Sequence, residues 1–124
     1  MKAQELRIGN KVQSCLTGEI VEIDWLALKH LEDGNIQAAG YDNSCVYKPI
    51  PLTEEWLLKF GFKYSESKEW LILKYRVVTF DTDESVEFSI VYASVEGYKF
   101  GFAQTVHQLQ NLYFALTGEE LKEI

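Results

Sequence analysis

Residues 105–121, TVHQLQNLYFALTGEEL, form the longest stretch of the chain with a helical pattern and recognisable ends, and the rest of the fold is worked out from it. Thr105 precedes the apolar pattern and Gln108 follows three positions later. That spacing is a capping box: the Thr105 hydroxyl takes the Gln108 amide, and the Gln108 side chain returns to the Thr105 amide. Val106, Leu109, Leu112, Tyr113 and Leu116 recur at intervals of three and four, so one stripe of a helix over 105–116 faces a sheet or a second helix. Gly118, with no Cβ to clash, supplies a left-handed stop, and Leu121 is placed to fold back onto the last turn. A second ending stays open, in which Thr117 caps a further short turn with Glu120 at its third position.

The sheet for this stripe lies just upstream. Residues 69–80, EWLILKYRVVTF, are β-branched and aromatic and read as one long central strand, with Leu71, Leu73, Tyr75 and Val77 on one face and Trp70 and Ile72 on the other. After a turn at 81–85, Val86, Phe88, Ile90 and Tyr92 alternate with Glu87, Ser89 and Val91. A turn at Glu96-Gly97 leads to Tyr98, Phe100 and Phe102. The expectation is a three-stranded antiparallel meander covered by helix 105–116. Gly101, between two phenylalanines, marks a bulge or the closest approach of the helix.

Residues 49–62, PIPLTEEWLLKFGF, join this part to the N-terminal one. The two prolines hold the chain extended, and Thr53 then caps a short helix over 54–60 whose first turn carries Glu54 and Glu55 at the positive end of the dipole. Leu52 and Leu57 form a staple, Trp56, Leu57 and Phe60 the buried side, and Gly61-Phe62 the stop. Before the join, a Gly9-Asn10 turn precedes strands at 12–16 and 19–28, the second with Val21, Ile23 and Trp25 on its dry face. Turns at 32–35 and 42–44 bracket a short strand at 36–41, and Cys45–Tyr47 follows. So many short strands with tight turns suggest a bent, SH3-like, barrel-type sheet. No linker composition separates the parts, so residues 1–124 read as a single α+β domain with subregions 1–50 and 51–124.

The net charge of −7 opposes a phosphate backbone, and neither part is basic, with five basic against seven acidic groups in 1–50 and seven against twelve in 51–124. Nucleic acid is therefore the weaker partner class. Cys15 and Cys45 lie thirty residues apart without a CxxC partner, which points to buried free thiols, not zinc or redox chemistry. With no apolar leader and no membrane-length run, the expected location is the cytoplasm.

Phosphate-loop, dinucleotide, zinc-hydrolase and serine-hydrolase motifs do not occur, so the sequence offers no catalytic, cofactor-binding or metal-ligating residue. Asp81, Asp83 and Glu84 lack the glycine and distal glutamate of a calcium loop and read as a hairpin tip. His30 reads as an exposed residue near a turn. Tyr98, Phe100 and Phe102 have the spacing of a stacking platform for single-stranded nucleic acid, but with Lys99 alone beside them they read as core. The candidate interaction surface is the polar edge of the C-terminal helix, His107, Gln108, Gln110 and Asn111, with Phe114 standing off the apolar stripe.

LRIGN at 6–10, PIPLTEEWLLKFGF at 49–62 and VHQLQNLYFALTGEEL at 106–121 together resemble a family of small uncharacterised proteins encoded in gut-bacterial genomes, prophages and mobile elements. The resemblance implies a cytoplasmic bacterial protein and a phage or mobile-element accessory role, and it brings no activity, cofactor or ligand. The leading functional expectation is a non-enzymatic interaction module that meets a protein partner or a second copy of itself. A nucleic-acid-associated accessory protein comes second, and a small enzyme around His107 third.

Overall fold

The computed structural model describes residues 6–15, 17–26, 47–66, 70–82 and 89–124. The contacts divide the chain into two compact units, Met1–Ile50 and Pro51–Ile124. The architecture is α+β, with an antiparallel sheet in each unit.

In the N-terminal unit the turn at Gly9-Asn10 forms as its sequence predicts. Gly9 takes φ +95, the Arg7 amide donates to Asn10 Oδ1 at 2.6 Å, and the Asn10 amide donates to the Arg7 carbonyl at 3.0 Å. The turn feeds β1 (Lys11–Ser14), which pairs with β2 (Ile20–Glu22) on one side and β3 (Tyr47–Lys48) on the other. Leu6, Val12 and Ile23 form the buried cluster, with Val21 and Tyr47 packed against it. Among the described residues this sheet, ordered β2-β1-β3, does not close into a barrel.

The expected strand over 19–28 is shorter than predicted. Its ladder closes at Ile23, which donates to Asn10 and accepts from Gly9, whereas Trp25 and Leu26 are helical and exposed. Trp25 is therefore no part of the core. Cys15 is disulfide-bonded, in contrast to the expected free thiol. The expected strand at 36–41, both turns around it, His30 and Cys45 lie outside the described residues.

The C-terminal unit opens with α1 (Glu54–Lys59). Thr53 Oγ1 accepts the Trp56 amide at 3.3 Å, and at the other end Phe62 N–H donates to the Leu57 carbonyl and Gly61 N–H to the Leu58 carbonyl. This double closure, with Gly61 at φ +94, is the glycine-terminated stop the sequence predicts, and it brings buried Phe62 back to buried Leu57. Trp56 is only half-buried, lying against the Phe60 ring and under the Lys59 ammonium.

Among the described residues five strands follow where three were expected: β4 (Lys63–Tyr64), β5 (Leu71–Tyr75), β6 (Val78–Asp81), β7 (Val91–Val95) and β8 (Tyr98–Ala103), paired in chain order. The predicted single strand over 69–80 is in fact a hairpin. Tyr75 pairs with Val78 around Arg76-Val77, and Arg76 adopts φ +53, a left-handed conformation that its residue type does not advertise. The β7–β8 turn does advertise itself, with Glu96 and Gly97 both at positive φ. On β7 the predicted faces are exchanged: Val91 and Ala93 are buried, and Tyr92 points the other way.

The long helix, α2 (Val106–Thr117), lies over the face that bears Phe80 and Tyr75, whose rings sit 5.1 and 5.9 Å from that of Tyr113. Val106, Leu109 and Tyr113 are buried as predicted, whereas Leu116 at the end of the stripe is exposed. Thr105 Oγ1 accepts the Gln108 amide at 3.4 Å, but Gln108 Oε1 reaches the Gln104 amide at 3.0 Å, one residue earlier than the capping box requires. Gly118 ends the helix at φ +76, and Leu121 is buried beyond it. Thr117 starts no further turn. Its hydroxyl donates to the Tyr113 carbonyl and accepts the Glu119 amide. A Pro51–Thr105 bridge, with Leu52 N–H donating to the Gln104 carbonyl, ties the approach to α1 to the start of α2. Both readings of Gly101 hold. The β7–β8 register slips beside it, and a Cβ there would stand 3.2 Å from Leu112 Cδ1.

Candidate functional site

Strand alternation sends one set of β5–β8 side chains under α2 and the other to the opposite face. The register places Lys63, Ile72, Asp81, Tyr92 and Phe102 in one row across all five strands, since each pairs with the next. A second row runs Lys74, Thr79, Ser94, Lys99. The Tyr92 and Phe102 rings are 6.4 Å apart, and Lys99 Nζ sits 4.3 Å from the Tyr92 centroid, the geometry of a cation held over a ring face.

The aromatic residues of β8 are not core residues. Tyr98, Phe100 and Phe102 are 71%, 65% and 59% exposed, which overturns the packing expected from their spacing. For Phe100 and Phe102 the reason is the bulge. Ser94 pairs with Lys99 and Ala93 with Gly101, so Phe100 is the extra residue and the period of two breaks there. Gly101 and Ala103 take the helix side, and Phe102 is left on the other.

At the β4–β5 end of the same sheet lies a half-open groove of about 460 Å³ whose walls include Lys63, Tyr64, Ser65, Glu66, Ile72 and Lys74. β4 is only two residues long, so β5 outruns it and leaves a notch. Neither Lys63 nor Lys74 stands out in the sequence. Only the pairing register puts them on the face of Tyr92 and Phe102.

The five helix residues proposed from sequence do not form one surface. His107 and Gln110 are buried, at 4% and 3% exposure, and His107 Nδ1 contacts Thr105 Oγ1 at 3.3 Å. Gln108 and Phe114 are exposed and Asn111 half-buried, with Gln108 engaged in capping. The helix starts where the Thr105 cap predicts, but His107 joins Val106 on the buried side of the first turn, leaving Gln108 exposed.

Among the described residues no group of three His, Cys, Asp or Glu side chains gathers as metal ligands. Two phenols are shifted. Burial, then the carboxylate of Asp24, raises Tyr47, while burial, then Glu119 and Tyr75, raises Tyr113. Both belong to packing, not to the open face. No helix among the described residues is long and apolar enough to cross a membrane. Comparison with protein-family models, curated proteins and solved structures finds no match to this chain.

Proposed function

We propose that this chain is a non-enzymatic binding module that works through the face of its C-terminal sheet opposite α2 and through its aromatic edge. The observation that supports this is the exposure of Tyr98, Phe100 and Phe102 along one edge strand. A ring left in water forgoes burial worth about 1.5–3 kcal/mol, and an exposed apolar edge strand invites aggregation unless a partner covers it. His107, the centre of the enzymatic alternative, is buried and held beside the helix cap. A phage or mobile-element accessory role fits such a module, as does an SH3-like reading of Met1–Ile50, supported by its short antiparallel strands and tight turns. The disulfide at Cys15 bears on the cytoplasmic expectation, because such bonds persist in oxidising surroundings or cycle where thiols are kept reduced.

The test is capture from bacterial lysate with the parent chain and a Tyr98→Ser, Phe100→Ser, Phe102→Ser variant, after circular dichroism has established that both fold. Both proteins and nucleic acids in the eluate are read. Loss of the retained species with the variant supports the proposal, and equal recovery overturns it.

A further inference from the structure

We infer that the partner of this face is single-stranded nucleic acid, gripped by Lys63, Lys74 and Lys99 and stacked on Tyr92 and Phe102; the inference rests on the binding-module reading above. The chain as a whole is acidic, but among the described residues this face carries more lysines than carboxylates. Its two rows hold three lysines and one carboxylate, Asp81, and Glu66 shares the groove with Lys63 and Lys74. Lys63, Lys74 and Lys99 are all exposed. At physiological salt the Debye length is about 8 Å, so carboxylates farther than that from a ligand lying here are largely screened and the nearest charges count most.

The lysines are spread across the sheet. From β4 to β8 there are four inter-strand steps, about 19 Å at roughly 4.8 Å each. That is the reach of a short run of nucleotides, not of one phosphate. The groove lined by Lys63, Lys74 and Glu66 stands at one end and the Tyr92–Phe102 pair with Lys99 at the other. Aromatic rings on an open sheet face accept the π-face of any unstacked base, and flanking lysines take the backbone phosphates. A duplex keeps its bases stacked and cannot use the rings. A protein partner is disfavoured by the lysines, which are depleted at the cores of protein interfaces.

The experiment is fluorescence anisotropy with labelled oligothymidylate and oligouridylate of about twelve nucleotides, and a duplex of equal length, titrated with the full chain from about 20 to 200 mM salt. Saturable binding of the single strands is expected, with a log–log salt slope of about −2, the value for three phosphate contacts at roughly 0.7 each. Lys63→Gln and Lys74→Gln each flatten the slope by about 0.7, and Phe102→Ala weakens binding about tenfold or more while the circular dichroism spectrum is unchanged. Absence of single-strand binding at the lowest salt overturns the inference, as does duplex binding of equal strength or an affinity indifferent to Phe102→Ala. Retention of a nuclease-resistant protein in the lysate capture, lost with the aromatic variant, leaves the binding module standing and removes nucleic acid as its partner.

Discussion

Tyr113 shows how one side chain ties the core to pH. Its ring lies against Phe80 and Tyr75, and burial, then Glu119 and Tyr75, lifts the phenol above its ordinary value of about 10. The folded chain therefore holds this proton more tightly than the unfolded one. The associated stability is intact below about pH 10 and is lost as pH rises through the raised value; Tyr47 acts in the same direction. Tyr113→Phe keeps the ring contacts, so melts between neutral pH and pH 11 are expected to show a shallower alkaline fall than the parent, and an identical fall would refute the assignment. Gly101 is the second informative residue. A Cβ at 3.2 Å from Leu112 Cδ1 asks a packed leucine to give way. Gly101→Val is expected to cost about 1–3 kcal/mol in urea unfolding. The cost should shrink in a Leu112→Ala background, and additivity of the two changes would rule out this contact as its cause.

At the scale of elements, the two helices depend on their ends to different degrees. Six residues of α1 are too few to persist alone, so its cap and its packing must hold it. Thr53→Ala removes the acceptor for the Trp56 amide and is expected to cost about 1 kcal/mol, read as a lowered urea midpoint at constant slope. Gly118→Ala forces a Cβ into a left-handed backbone at φ +76, where no other atom crowds it, and the cost, about 1–2 kcal/mol, is purely conformational. Gly118→Asn, which tolerates that region better, should recover part of it. These ends were legible because their hydrogen bonds join residues three to five apart. The strands were less so. The Arg76-Val77 turn carries none of the glycine or asparagine that announces a hairpin, so two strands looked like one.

At the scale of the molecule, the chain divides into Met1–Ile50 and Pro51–Ile124, and a disulfide involves Cys15 in the first. A cross-link stabilises chiefly by restricting the unfolded chain, typically by about 2–4 kcal/mol. Reduction is therefore expected to speed amide hydrogen exchange in β1 and β2 while β6 and β7 keep their protection. Uniform acceleration across both sheets, or none in the first, would contradict that expectation.

Helices α1 and α2, their Thr53 and Thr105 N-caps and glycine stops, the Gly9-Asn10 and Glu96-Gly97 turns and the α+β class were legible in the residues, because each rests on local hydrogen bonds or on a 3.6-residue period; the return bond of Gln108, which goes to Gln104 and not to Thr105, was not. Of the proposed helix surface, Gln108 and Phe114 are exposed, Asn111 is half-exposed, and His107 and Gln110 are buried. Only the tertiary structure decided which way the β8 aromatics face. A single bulged residue, Phe100, reverses the alternation, and its position is fixed by the register with β7. The same register gathers Lys63, Lys74 and Lys99 from three strands onto one face, a neighbourhood that spacing along the chain does not encode.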